Sequence, residues 1–241
     1  MVIMDAHVHL KNRNQELLDV PALLKEMDDA NVSKVFLFPG TSFRDATDKM
    51  LDQIAGHEDR FIPFAFLDPH VEGITDELER LITKRGVKGL KLHPVKDAFP
   101  ADRGYLLDPL LEIIDKYHLH VIMHCTSDAP NSSPLQFERT AKRWPNVTFQ
   151  MAHMGGCWLS DDAIMVALRN NNIYLETSTV SITAVKRAIA ACPEKVLMGT
   201  DVPFYKFELE QLKMRLATDD SKVFEMVMGG NMAQLIEKRG L

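Results

Sequence analysis

The sequence predicts a single-domain (β/α)₈ barrel over residues 1–241. Eight short apolar runs, rich in β-branched and aromatic residues, alternate with longer amphipathic stretches along the whole chain. No long linker, low-complexity tract or shift in composition interrupts this alternation. Strands that alternate strictly with helices indicate a parallel sheet, and α/β barrels of this length commonly fold as one domain.

The strand-like runs are taken in chain order. They are "VIMDAHVHL", "SKVFLFPG", "FIPFAFLDP", "VKGLKLHP", "HVIMHC", "VTFQMAHMGG", "IYLETST" and "KVLMGTDVP". Between them, apolar residues at three-and-four spacing predict helices, for example in "QELLDVPALLKEMDDA", "ITDELERLITKRG", "LLDPLLEIIDKYH" and "SITAVKRAIAACP". A doubly wound open sheet would alternate in the same way, but no Gly-rich phosphate turn follows the first strand. The pattern therefore favours the barrel.

Composition limits the classes of partner. The formal net charge is −6 and no basic block is present, so we expect no sequence-independent binding of nucleic acid and infer a small-molecule substrate. No run approaches the roughly 18 apolar residues of a membrane span, and the N-terminus does not resemble a signal peptide. The three cysteines, Cys125, Cys157 and Cys192, are odd in number and widely spaced, which indicates free thiols. We expect a cytoplasmic protein.

Titratable residues follow the strands where each strand ends. His7 and His9 lie two residues apart and therefore share one face of the first strand. The fourth, fifth, sixth and eighth strands end in further residues of this kind, which are Lys91, His93, His124, His153 and Asp201. Catalytic groups of barrel enzymes gather at the carboxyl ends of the strands, so we expect these side chains to converge.

Neutral imidazoles with one carboxylate are the donors that a divalent cation such as zinc prefers, although iron, manganese and cobalt suit similar ligands. A pair such as His7 and His9 alone carries little weight, because buried histidines are common in cores. Convergence from four separate strands is the stronger argument for a metal site. In such a site Asp201 could accept a proton from the attacking water.

Other residues allow two interpretations each. Lys91 shares a strand face with His93 and either contacts substrate or pairs with Asp5 or Glu176. Glu176 itself either faces substrate or anchors a neighbour. Cys125 directly follows His124, so it points into the helix layer and is expected to be structural. His70 follows the third strand and is a candidate for substrate contact.

Several of these segments together resemble the amidohydrolase superfamily, in its amidohydrolase-related (amidohydrolase 2) branch of TIM-barrel metal-dependent hydrolases. The segment "DAHVHL" is similar to the first-strand metal motif of that branch. "GLKLHP", "VIMHC", "MAHMGG" and "GTDVPF" resemble its fourth, fifth, sixth and eighth strands, and "GNMAQLI" resembles its closing helix. The resemblance extends over nearly the whole chain.

The resemblance implies a divalent cation, usually zinc. Its implied ligands are His7, His9, His124 and Asp201, with His153 as a catalytic residue or further ligand. One ion is favoured, and His93 would then contact substrate. In two-metal members a carbamylated lysine of the fourth strand bridges the ions, and Lys91 is the nearest match to it.

The leading functional hypothesis is a metal-dependent hydrolase of a small ester, lactone, amide or related substrate. The alternative is a non-oxidative decarboxylase of a small unsaturated or aromatic acid at the same metal site. A TatD-like phosphoesterase is a weaker candidate, because those proteins carry a glutamate near the end of the fourth strand where this chain has "KLHP". A barrel that has lost activity is the non-enzyme alternative. The loops after the strands are brief, which leaves substrate identity open, and a homodimer is one option for assembly.

Overall fold

The computed structural model describes residues 1–11 and 19–241, and it contains the predicted eight-stranded parallel barrel. The strands occupy the predicted runs and pair in chain order. Their bounds are β1 Ile3–Leu10, β2 Val32–Pro39, β3 Phe61–Pro63 with its continuation Ala65–Phe66, β4 Gly89–Leu92, β5 His120–His124, β6 Thr148–Ala152, β7 Ile173–Glu176 and β8 Val196–Leu197. The (β/α)₈ prediction is confirmed.

Helices follow the strands and surround them. They are α1 Val20–Asp29, α2 Ala46–Gln53, α3 Ile74–Arg85, α4 Gly104–Lys116, α5 Pro134–Arg143, α6 Ser160–Arg169, α7 Ile182–Ala191, α8 Phe207–Ala217, α9 Ser221–Glu225 and α10 Asn231–Arg239. Local signals set several of the ends. For example, Ser133 and Ser181 accept hydrogen bonds from the backbone N–H groups of Gln136 and Ala184 at the starts of α5 and α7. The start of the predicted first helix, at residues 15–18, lies outside the described residues.

The barrel closes between its first and last strands. The backbone N–H of Ala6 donates to Met198 O at 2.9 Å, and that of Asp201 donates to His7 O at 2.8 Å. A parallel bridge joins Val8 to Val202. This closure brings the end of β1 beside the residues that follow β8, and it therefore sets His7 and His9 next to Asp201.

Two hydrophobic cores share the strands. Mostly aliphatic side chains fill the layer between the barrel and the helices, whereas rings such as Phe36, Phe64 and Phe66 fill the barrel interior. Gly89 makes room for this interior, because a Cβ there would lie 2.2 Å from the Phe64 ring. Side chains thus fill the barrel interior beneath the carboxyl ends of the strands, as in other barrels of this type.

No helix within residues 1–11 and 19–241 is both long and apolar enough to cross a bilayer. The three cysteines are free thiols, with Cys125 and Cys192 buried and Cys157 exposed. Burial raises the pKa of the Cys125 thiol. It therefore stays protonated at neutral pH, as a structural thiol does.

Candidate metal centre and active site

A cavity of about 290 Å³ opens at the carboxyl ends of the strands. Nearly all of the predicted site residues line it. Its lining consists of His7, His9, Lys11, Gly40, Phe66, Lys91, His93, Lys96, His124, His153, Asp201 and Phe204. Two predicted residues are not part of this lining: Glu176, which lies behind the cavity wall, and His70.

His7, His9 and Asp201 form a close group of donor atoms. Asp201 Oδ1 lies 3.4 Å from His7 Nε2 and 3.2 Å from His9 Nε2. The three donor atoms lie within 4.8 Å of one another, and all three residues are buried. Two imidazole nitrogens and a carboxylate oxygen are donors that a divalent cation takes, so this group is capable of holding one.

Hydrogen bonds fix which nitrogen of each ring faces Asp201. His7 Nδ1 lies 2.9 Å from the Glu176 carboxylate, and His9 Nδ1 lies 3.2 Å from the carbonyl oxygen of Pro39. Both of these partners only accept, so each Nδ1 carries the proton and each Nε2 keeps its lone pair. Burial lowers the pKa of both imidazoles, which keeps them neutral and able to act as ligands.

Glu176 organises this part of the site from behind. Its Oε2 accepts from His7 Nδ1, from the backbone N–H of His153 at 3.0 Å and from the Ser178 hydroxyl at 3.0 Å. Its side chain is fully buried, and burial raises its pKa. Of the two interpretations from the sequence, this placement favours the anchoring of a neighbour over substrate contact. His7, His153 and Glu176 also lie close enough to be a second metal-capable group, but His7 Nδ1 is already bonded to Glu176 and His153 Nδ1 to Ser178.

His153 is held by Ser178. Its Nδ1 lies 2.8 Å from the Ser178 hydroxyl, which in turn donates to Glu176, so the ring donates from Nδ1 and Nε2 keeps its lone pair. Burial lowers the pKa of His153 well below its usual range. His153 and Asp201 both have left-handed backbone conformations, with φ of 69° and 61°. Such strain in residues other than glycine is typical of functional sites.

His124 and His93 stack on each other in the cavity wall, with ring centroids 3.9 Å apart. His124 Nε2 faces Thr126 Oγ1 at 3.0 Å and Asp128 at 3.5 Å, so His124 lines the cavity without joining the donor group of His7, His9 and Asp201. The ligand role implied by the resemblance stays a prediction. Burial lowers the pKa of His124 to about 4.

His93 has the opposite tautomer from His153. Its Nδ1 accepts the backbone N–H of Lys96 at 3.2 Å, which leaves the proton on Nε2. Burial is the largest cause that lowers its pKa. His93 can therefore donate a hydrogen bond to a bound substrate, whereas neutral His153 can only accept one through Nε2.

Lys91 is fully buried at the centre of the site. Its Nζ lies 3.4 Å from His7 Nε2 and 4.7 Å from the centroid of the Phe38 ring. Burial lowers its pKa to about 8. The structure gives it no hydrogen bond to Asp5 or Glu176 among the described residues, although the charge of Glu176 stabilises the ammonium.

Several contributors were not predicted as site residues, among them Asp5, Ser178 and Lys11. Asp5 ties β1 to the β8 end, because its Oδ1 accepts from the N–H groups of His7 at 2.8 Å and Thr200 at 3.2 Å. Ser178 lies two residues beyond Glu176, a spacing that could have placed both on one face. Lys11 likewise lies two residues beyond His9 and lines the cavity.

His70 lies away from the site. It is exposed, its Nδ1 contacts Asp68 at 2.8 Å, and it does not line the cavity. The placement gives no support to the predicted substrate contact.

The family model for amidohydrolases matches residues 4–236. No curated protein matches the chain. The chain is similar in fold to a TIM-barrel protein of Bordetella bronchiseptica, with 16% identity, a TM-score of 0.81 and 100% of both chains covered.

Two other solved structures are similar enzymes. One is a dihydroxybenzoic acid decarboxylase from Polaromonas sp. JS666 with bound manganese and the inhibitor 2-nitroresorcinol, at 16% identity and a TM-score of 0.77, covering 98% of this chain and 97% of that one. The other is a probable 2-pyrone-4,6-dicarboxylic acid hydrolase from Acinetobacter baumannii with citric acid bound, at 15% identity and a TM-score of 0.78, covering 98% of this chain and 100% of that one. At such identities these likenesses establish the fold, whereas the match to the family model extends over nearly the whole chain. The protein therefore belongs to the amidohydrolase family.

Proposed function

We propose that this protein is a metal-dependent hydrolase of a small ester, lactone, amide or related substrate. The observation that carries the proposal is the convergence of His7 Nε2, His9 Nε2 and Asp201 Oδ1 in a cavity at the barrel mouth. Both imidazoles are held neutral with their lone pairs toward the carboxylate. Membership of a family that includes hydrolases is consistent with this reading.

His7, His9 and Asp201 would hold the cation, and zinc suits these donors best, with manganese and iron as alternatives. When bound, such an ion polarises a substrate carbonyl and lowers the pKa of water from about 15.7 to about 7. We favour one ion, because the ring nitrogens of the second metal-capable group already have partners: His7 Nδ1 bonds to Glu176, and His153 Nδ1 bonds to Ser178. A second ion would call for a carbamylated Lys91.

The protein's own residues can divide the proton transfers. Asp201 accepts a proton from the attacking water, since its carboxylate lies at the cavity wall with Oδ1 toward the two imidazoles. His93 donates from Nε2 to the oxygen that becomes negative during attack, and Lys91 adds a buried positive charge nearby. His153 accepts through Nε2 and thereby orients water or substrate.

The test combines isotope labelling with an Asp201 variant. In ¹⁸O-labelled water, the metal-loaded protein should place one labelled oxygen in the acid product of a small ester, lactone or amide. Asp201→Asn should reduce turnover roughly 10²-fold or more. Unchanged turnover in Asp201→Asn would overturn the role of Asp201 as general base, and a product without label would overturn the proposed hydrolysis.

A decarboxylase of a small unsaturated or aromatic acid is the second candidate. The charge of the cavity favours it, because three lysines (Lys11, Lys91 and Lys96) line the cavity with one carboxylate, Asp201. This excess of positive charge suits an acid substrate. Release of carbon dioxide without incorporation of ¹⁸O would assign this reaction instead. A cytoplasmic location and a homodimer remain predictions of the sequence.

A further inference from the structure

We propose that Lys11 and Lys96 together bind a carboxylate of the substrate that is separate from its reacting group. The inference rests on the proposed function in that the substrate occupies this cavity. It adds a substrate class, namely small molecules with a second carboxylate directed away from His7, His9 and Asp201.

The two lysines converge on one glycine. Lys96 Nζ donates to the carbonyl oxygen of Gly40 at 2.9 Å. The stem of Lys11 lies directly against Gly40, where an added Cβ would come within 2.3 Å of Lys11 Cδ. Only a residue without a side chain allows this approach, so Gly40 sets the position of both lysines.

Aromatic rings of the cavity wall support each ammonium group. Lys11 Nζ lies 4.4 Å from the centroid of the Phe204 ring, and Lys96 Nζ lies 5.4 Å from that of Phe66. Cation–π contacts of this kind hold a positive charge in place. Both rings and both lysines line the cavity, with Lys11 buried and Lys96 exposed.

Both lysines line the same cavity and approach the same glycine, Gly40. A carboxylate bound between them would attract both ammonium groups. The nearest acidic neighbour of Lys96 in sequence, Asp97, directs its Oδ1 to the Ser42 hydroxyl at 2.6 Å.

The surroundings favour a carboxylate over a phosphate. Phosphates are typically held by arginines or by the N–H groups of a helix start, and no arginine lines this cavity among the described residues. Gly40 presents a carbonyl oxygen to Lys96. A singly charged carboxylate tolerates this acceptor better than a doubly charged phosphate does.

The test measures binding, so it does not depend on turnover. Dicarboxylates from malonate to adipate and the monoamide of each are titrated calorimetrically into metal-loaded protein. We expect the best dicarboxylate to bind roughly tenfold more tightly than its monoamide, as for the loss of a charged hydrogen bond. Lys96→Met should reduce this ratio to within about twofold, and Lys96→Arg should largely preserve it.

Two further variants control for unspecific effects. Lys88→Met removes a positive charge next to the start of β4, outside the cavity lining, and should leave the ratio unchanged. Gly40→Ala keeps every charge but displaces Lys11, and should also lower the ratio. A wild-type ratio near one, or a ratio that survives in Lys96→Met, would overturn the inference.

These outcomes are separate from those of the proposed function. If the ratio behaves as expected but no ester, lactone or amide is hydrolysed, the proposed function fails and the carboxylate site stands. If hydrolysis is observed but the ratio is near one, the proposed function stands and the carboxylate site fails.

Discussion

At the mouth of the barrel, His7 and His9 direct their Nε2 atoms toward a carboxylate, whereas at the opposite end His120 lies among aromatic rings. His120 Nδ1 contacts the Thr148 hydroxyl at 2.9 Å, and its ring packs 5.8 Å from that of Phe36. Burial lowers the pKa of histidines at both ends, for His120 to about 3. A low pKa therefore does not identify a functional histidine in this barrel. The partners of the ring nitrogens and an adjoining cavity do.

The largest expected effect comes from removing the imidazoles at the mouth. His7→Ala combined with His9→Ala should lose nearly all bound metal and all measurable turnover, because two of three donors disappear. His120→Ala should keep its metal, since that ring packs at the other end. Elemental analysis of the purified variants measures this. Equal metal content in the double variant and the wild type would show that His7 and His9 of the first strand are not metal ligands.

At the end of the barrel away from the cavity, we expect a substitution to lower stability without changing metal content. Phe64→Ala should lower the free energy of unfolding by roughly 3–5 kcal/mol, because its fully buried ring fills the barrel interior. Metal content should not change. Urea unfolding of metal-free protein measures the stability, with exposed Phe43→Ala as a matched control that should stay within about 0.5 kcal/mol of wild type. A Phe64→Ala variant as stable as wild type would show that the interior is not packed as described.

A variant of Glu176 tests whether its hydrogen bond to His7 contributes to metal binding. Glu176→Gln should weaken metal binding roughly 10–100-fold, because the amide orients His7 less firmly than the carboxylate does. Competition with a chelator measures the affinity. Glu138 is the matched control, since it is also a buried carboxylate but pairs with Arg169 at 2.6 Å in the helix layer. If Glu138→Gln weakened metal binding as much as Glu176→Gln, the specific role of Glu176 would be wrong.

The smallest expected effect is on the pH dependence of stability. Because burial lowers the pKa of His120 in the folded chain, the unfolded chain binds more protons below about pH 6.5. Folded stability therefore falls as pH decreases from about 6.5, by about 1.4 kcal/mol per pH unit for this imidazole. In metal-free protein, wild type should lose about 1.4 kcal/mol of unfolding free energy per pH unit relative to His120→Leu as the pH falls from about 6 to about 4. A difference that is constant with pH would contradict the neutral, buried state of His120.

Much of the fold could be predicted from sequence, for a physical reason. Strand and helix periodicities differ, and each of the eight runs keeps its own period between clear breaks. The strand ends could then be located, which placed His7, His9 and Asp201 together. What the periodicity could not show is the split of the third strand at Phe64, whose N–H donates to Leu37 O at 2.8 Å.

The orientation of individual side chains could not be predicted from the sequence. Glu176 had two interpretations, and only the three hydrogen bonds to its Oε2 favour the anchoring one. The ligand role of His124 stays a prediction, and the contact of its Nε2 with Thr126 Oγ1 at 3.0 Å had no signal in the sequence. Lys11 and Lys96 both approach Gly40, although the three residues are distant in sequence. No local sequence pattern predicts this contact.

The most direct test of the metal centre is the metal content per chain of freshly purified protein, measured by elemental analysis. The arrangement of His7, His9 and Asp201 predicts about one divalent ion per chain, zinc first and manganese or iron as alternatives. About two ions would contradict the single-ion site and assign the bridging role to a carbamylated Lys91. No bound metal, even after reconstitution, would contradict the metal centre itself.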